Sequence, residues 1–303
     1  MTSAPSPSST LVPVAVAALA IALFSTMDAL MKGLSLAIGT YNALLWRTLT
    51  GASIAGAFFI WRRCAWPGRA AMRVHLIRGI MSSVMAILFF WGLARVPMAQ
   101  AIALAFVAPL ISLYLAAVIL KERIDRSAIL ASLLGFLGVI VILASQMEAD
   151  LGPDALRGSI AVLGSAGLYA WNIILMRQQA QIAQPLEIAF FTSLIMGSCF
   201  LLLAPFLAVP PGGAQLPAIL LAAILAFVSL MLFSWAYARA EAQRLAPVEY
   251  TGFIWAALLG FVFFAEPVRW PTLVGAAMIV AACLLAARVR PASQPQPQVE
   301  AGV

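Results

Sequence analysis

Leu88-Phe89-Phe90-Trp91-Gly92-Leu93-Ala94-Arg95 recurs 144 positions later as Leu232-Phe233-Ser234-Trp235-Ala236-Tyr237-Ala238-Arg239, with Leu, Phe, Trp, Ala and Arg in the same places. The same gap-free register sets Leu115, Val118 and Glu122 against Leu259, Val262 and Glu266, and upstream Ile80 and Val84 against Ile224 and Val228. Apolar matches arise easily by chance in apolar sequence; Trp, Arg and Glu holding one register across a helix pair do not. The chain reads as duplicated. A weak internal repeat in a hydrophobic protein points to a transporter of two related halves, with the substrate site between them.

Composition sets the class. With 64% hydrophobic and 10% charged residues, 303 residues lack the polar surface of a soluble domain. A spanning helix needs about 20 predominantly apolar residues to cross a hydrocarbon core of about 30 Å. Ten segments qualify: residues 12–31, 41–61, 74–93, 98–120, 127–145, 159–177, 185–207, 216–238, 248–264 and 271–287. A β-barrel would read as short alternating segments instead.

Loop charge orients the spans, because cytoplasmic loops collect Lys and Arg. With the amino terminus inside, thirteen basic residues fall on the cytoplasmic side, among them Arg62, Arg63, Arg78, Lys121, Arg177 and Arg239. Four fall outside, Lys32, Arg95, Arg157 and Arg269, and Arg47 lies within a span. Both termini are therefore expected in the cytoplasm, and the net charge of +7 mostly reflects topology. A nucleic-acid binder would gather its basic residues on a soluble face, and the sequence has none. Residues 1–11 and 288–303 read as disordered tails, and 146–158 as an outer connecting loop. The first apolar stretch is longer than a usual signal core and no basic residue precedes it, so it reads as a retained span. Cys64, Cys199 and Cys283 show neither a redox pair nor metal-ligand spacing. No cofactor or metal is expected, and a homodimer is left open.

Five spans per half is an odd number, so the second half enters the membrane upside down. Arg95 then ends the third span outside and Arg239 ends the eighth inside, while Glu122 is inner and Glu266 outer. The first and sixth spans align with one insertion, Leu23-Phe24 answering Leu168-Tyr169 and Leu30-Met31-Lys32 answering Leu175-Met176-Arg177.

Arg47, Ala108-Pro109, Leu120-Lys121-Glu122-Arg123 and Gly135-x-x-Gly138-Val139-Ile140 in the first half carry a family likeness. Ala246-Pro247-x-Glu249-Tyr250-Thr251-Gly252, Trp255-Ala256 and Phe264-Ala265-Glu266-Pro267 look like its counterpart in the second. The chain resembles EamA-type members of the drug/metabolite transporter superfamily, from about Val12 to Ala287. One departure is Ala265, where members often have Gly. The resemblance implies an all-α membrane protein of ten transmembrane helices in two inverted five-helix repeats, residues 12–145 and 159–287. It also implies a cavity lined by the first, third, fourth, sixth, eighth and ninth spans.

Charges inside hydrocarbon are costly unless paired or wetted, so they mark candidate sites. Asp28 and Arg47 are expected at similar depths below the outer surface. One reading is a structural ion pair. The other has Arg47 hold a substrate carboxylate or phosphate, with Asp28 its partner in the empty state. Tyr169, Trp171 and Asn172, with Ser165, form a polar-aromatic stretch suited to lining a cavity or to interhelical hydrogen bonding. Tyr250, Thr251 and Trp255 are similar, and the fourth span offers Phe106, Ser112, Tyr114 and Pro109, the last freeing a backbone carbonyl as a helix break or gate. Glu249 is assigned to capping or to pairing with Arg239 or Arg244. Glu122 and Glu266 are read as anchors at helix ends, and His75, the single His, as part of a basic loop.

The leading function is an inner-membrane secondary transporter of a small organic metabolite, an amino acid or amino-acid-like solute being favoured. A nucleoside-like metabolite or vitamin such as S-adenosylmethionine or riboflavin, or drug efflux, stands beside it. A membrane-embedded enzyme is the competing class, but the chain has no His-Glu-x-x-His zinc motif, no phosphate loop and no deep acid pair. A channel or structural protein would not explain an inverted duplication. Asp28 is the one deep carboxylate, which leaves room for proton coupling.

Overall fold

A computed structural model describes residues 8–112, 115, 126–148, 152–239, 245 and 248–288. Among them the elements are ten helices and no strand: α1 Ser8–Ile38, α2 Thr40–Trp61, α3 Arg69–Leu93, α4 Met98–Ala105, α5 Arg126–Glu148, α6 Gly152–Ile182, α7 Pro185–Leu207, α8 Leu216–Tyr237, α9 Gly252–Phe264 and α10 Trp270–Arg288. Six contain stretches long and apolar enough to cross a membrane, in α1, α2, α3, α6, α7 and α8. Four shorter apolar helices span Met98–Ser112, Leu133–Ala144, Gly252–Phe264 and Trp270–Leu285. Large apolar side chains point outward, Leu202 and Phe206 being 78% and 85% exposed, as lipid-facing helices require.

Several boundaries differ from the sequence reading. Helix α1 begins at Ser8, inside the stretch expected as a tail. Most of the expected loop at 146–158 is helical, because α5 runs to Glu148 and α6 starts at Gly152. Polar residues at helix ends extend a helix beyond the apolar window without being part of the span. Gly39 takes φ +80, a left-handed conformation open to glycine, and this closes the tight turn between α1 and α2. Helix α4 breaks into a turn at 106–107 and resumes at 108–112. Pro109 explains the break, since it has no N–H to donate to the preceding turn.

Each helix of the first half packs against helices of the second. α1 lies along α8, α3 along α6 and α7, α2 along α7 and α8, α4 against α9, and α5 along α10. The α5–α10 crossing is made close by Gly138 and Gly275: a Cβ on either would stand 2.7 Å from the other's carbonyl oxygen. At the α3–α6 crossing a Cβ on Gly92 would meet the Gly158 carbonyl at 2.5 Å. One apolar core, including Leu44, Phe90, Met98, Leu104, Ile142, Phe200 and Ile279, runs through both halves.

The repeated Trp-x-x-x-Arg ends the same way twice. Arg95 lies over the Trp91 ring at 3.6 Å and donates to the Trp91 carbonyl at 2.9 Å; Arg239 lies over Trp235 at 4.2 Å and donates to its carbonyl at 3.3 Å. In both, cation–π contact and a charge-assisted hydrogen bond satisfy a carbonyl in the last helical turn.

Candidate functional site

Polar side chains gather at three places along the helices and at a fourth at one end of α1, α4 and α9. Asp28 on α1 is 2% exposed and its Oδ1 has no hydrogen-bond partner; Arg47 on α2 likewise leaves Nε unpartnered. The two are within electrostatic reach, but no direct ion pair joins them. Arg47 instead sets its guanidinium 6.0 Å from the Phe90 ring centroid on α3. Two opposite charges held near each other with unfilled hydrogen-bonding atoms can accept a polar guest between them.

Of the second cluster the sequence reading named only Asn172 as a candidate, with interhelical hydrogen bonding as one of its two roles. His75 and Arg78 are not in a loop: both lie in α3, and both are buried. Arg78 Nε donates to Asn172 Oδ1 at 3.1 Å, and its Nη1 donates to Gln179 Oε1. The Gln179 amide nitrogen donates to His75 Nδ1 at 2.6 Å, which places the ring proton on Nε2, 2.9 Å from Glu187 Oε1. His75 also stacks on Phe191 at 5.0 Å. Asn172 therefore belongs to a relay joining α3, α6 and α7. A signal existed in Gln179 and Glu187, polar residues flanking apolar spans, but their partners lie about a hundred positions away.

The third cluster lies around Glu249. Tyr237, the last residue of α8, donates its hydroxyl hydrogen to Glu249 Oε1. Tyr169 is within electrostatic reach of both Glu249 and Arg78. Tyr250 packs edge-on against Phe106 at 5.2 Å, and Cys283 Sγ donates to the Phe106 carbonyl at 3.3 Å, at the α4 break. The expected pairing of Glu249 with Arg239 does not form, since Arg239 is folded over Trp235; Arg244 lies outside the described residues.

Of the other sequence candidates, Trp171 is half exposed and lies about 200° around α6 from Tyr169, so the two do not share a face. Ser165 donates to the Met85 carbonyl at 2.9 Å. Trp255 is half-buried on α9, and Tyr114 lies outside the described residues. Pro109 sits just after the α4 break.

At one end of α1, α4 and α9 a compact tie closes the assembly. Lys32 pairs with Glu266 and donates to the Val96 carbonyl at 2.7 Å, while Glu266 Oε2 accepts the Met98 N–H at 2.8 Å. Lys32 Nζ also lies 5.3 Å from the Phe264 ring centroid. Recesses of about 240 and 250 Å³ flank Glu266, lined in part by Gln100 and Thr272 and by Leu36 and Arg95. Each is below the roughly 300 Å³ at which metabolite sites begin.

Comparisons with known proteins agree with this architecture. The pseudopaline exporter CntI of Pseudomonas aeruginosa is 25% identical over 287 residues, covering 91% of this chain and 96% of that one. A riboflavin transporter of Rhizobium johnstonii is 30% identical over 228 residues, 73% and 74% of the two chains, and an S-adenosylmethionine uptake transporter of Rickettsia felis is 25% identical over 211 residues, 70% of each. A solved crystal structure superposes with a TM-score of 0.63 at 20% identity over 93% of this chain and 100% of that one, a likeness of fold. These relatives are named as transporters, not enzymes, and the chain is a multi-pass membrane protein of transporter type. The model of the EamA-like transporter family matches twice, over residues 11–144 and 156–288, and the chain belongs to that family.

Proposed function

We propose that the protein is a secondary transporter of a small organic metabolite, an amino-acid-like solute being favoured, that works by alternating access between two inverted five-helix repeats, residues 12–145 and 159–287. The observation that carries this reading is the pattern of helix pairing. If α1 to α5 correspond to α6 to α10, then α1 on α8 is the counterpart of α6 on α3, and α3 on α7 of α8 on α2. The pairs α2–α7, α4–α9 and α5–α10 are their own counterparts. A two-fold axis between the halves produces that set, and five spans per half make the axis lie in the membrane plane. The excess of Lys and Arg on one side of the spans supports both termini in the cytoplasm and the protein in an inner membrane.

Polar groups between the halves have the character of a solute path. Arg47 is the anchor for a solute carboxylate, with Asp28 as its electrostatic partner in the empty state; the unpartnered Asp28 Oδ1 and Arg47 Nε support this. Tyr169, Asn172 and Tyr250 contribute hydroxyl, amide and aromatic surface. Pro109, next to the break in α4, lets that helix bend as the halves exchange positions. The Lys32–Glu266 tie holds α1, α4 and α9 together on the outer side in the conformation described.

Purified protein in liposomes will exchange labelled solute against the same solute inside. A broad metabolite panel with no saturable counterflow would overturn the carrier reading. Arg47→Ala is expected to lower counterflow of carboxylate solutes at least 10-fold, by loss of charge-assisted hydrogen bonds worth about 1.5–3 kcal/mol. Unchanged carboxylate transport by a folded Arg47→Ala protein would remove Arg47 from the site.

A further inference from the structure

Glu249 stands before α9 with an exposed side chain, and tyrosines of two other helices lie near it. Tyr237 donates to one carboxylate oxygen. Tyr169 and Tyr250 lie within electrostatic reach of the same group. Tyr169 belongs to the apolar stretch Asp154–Met176 of α6, so this carboxylate is met from the spanning part of the chain rather than from a loop. Tyr169 and Tyr237 are each 38% exposed, so both remain accessible to a guest. Among the described residues the nearby cations are engaged elsewhere, Arg239 with Trp235 and Arg78, buried, with Asn172 and Gln179; Arg244 lies outside them.

An accessible carboxylate beside apolar spans, with tyrosines around it and no protein cation on it among the described residues, has one natural complement. Aromatic rings attract cations through their negative faces, and a carboxylate that is partly dehydrated gains most from a counter-charge. The hydroxyl of Tyr237 holds one oxygen, and the other has no partner among the described residues. We propose, resting on the carrier reading above, that Glu249 with Tyr169, Tyr237 and Tyr250 is the subsite that receives a positively charged group of the solute, an ammonium, guanidinium or sulfonium.

The test uses solute pairs that differ in one positive charge: arginine with citrulline, and S-adenosylmethionine with S-adenosylhomocysteine. Counterflow in proteoliposomes and the ligand-induced rise of the unfolding midpoint in detergent are both measured, on wild type, Glu249→Gln, Glu249→Asp and Tyr237→Phe. The cationic member of at least one pair is expected to exchange and to stabilise at least 10-fold better than its partner. Glu249→Gln should bring the two members within about 2-fold, a loss of most of the charge discrimination, while Glu249→Asp retains it and Tyr237→Phe weakens it. Equal behaviour of charged and neutral members in wild type, or charge preference that survives Glu249→Gln, overturns the assignment. If no solute of any charge exchanges, the carrier reading falls; cation-selective stabilisation that depends on Glu249 would then still uphold the subsite, and its absence would reject it.

Discussion

Ala265 shows how a single residue records a backbone demand. It ends α9 with φ 53 and ψ 35, a left-handed conformation in which Cβ crowds the following carbonyl. From the sequence, Ala265 was legible only as a departure from the glycine common in similar proteins; the dihedral supplies the reason. Ala265→Gly is expected to stabilise the protein by about 1 kcal/mol, read as a higher unfolding midpoint in detergent. A midpoint that falls would show that the strain is not felt. Arg78 is the opposite case. Its replacement by Met keeps the volume and removes the donors, leaving Asn172 and Gln179 buried with unmade hydrogen bonds at about 1–3 kcal/mol each. Arg78→Met should therefore lower the unfolding midpoint clearly, and an unchanged midpoint would mean the relay contributes nothing.

Between helices, the Lys32–Glu266 tie joins α1, α4 and α9 through one carboxylate. Gly260 permits it, since a Cβ there would stand 2.9 Å from Glu266 Oε2. Glu266→Ala strands a Lys32 that is 3% exposed and frees the Met98 N–H, a loss of about 3–5 kcal/mol where a buried partner is removed alone. Lys32→Met together with Glu266→Gln should recover much of it, because no charge is then left alone. Unfolding in detergent measures both, and equal loss in the single and double variants would contradict the account. The repeat sets Arg177 against Lys32, with one insertion, and Glu122 against Glu266; Glu122 and the Arg177 side chain lie outside the described part of the chain. Glu266 was read from sequence as an anchor at a helix end; which groups it anchors depends on Lys32, more than two hundred positions away.

At the scale of the whole molecule, the helices and their order were legible because apolar runs of spanning length leave few alternatives. Tail and loop boundaries were less so: helices end where backbone hydrogen bonds end, not where hydrophobicity does. Of the site, Asn172 and Tyr169 were visible as polar residues in an apolar span. The roles of His75, Arg78 and Glu249 were not, since charge beside a span end reads equally as a loop, and only folding brings Gln179, Glu187 and Tyr237 to them. Trp91-x-x-x-Arg95 and Trp235-x-x-x-Arg239 were legible as a repeat, and each arginine stacks on its own tryptophan in the fold.

The orientation of those two motifs tests the central proposal of inverted halves most directly. Arg95 and Arg239 are both exposed at helix ends, so each can be replaced by a single cysteine after Cys64, Cys199 and Cys283 are changed to Ser or Ala. Intact cells are then treated with a membrane-impermeant maleimide. Inverted halves predict that Arg95→Cys is labelled from outside and Arg239→Cys only after the membrane is permeabilised. Labelling of both from the same side would contradict the inversion and, with it, alternating access between mirrored halves.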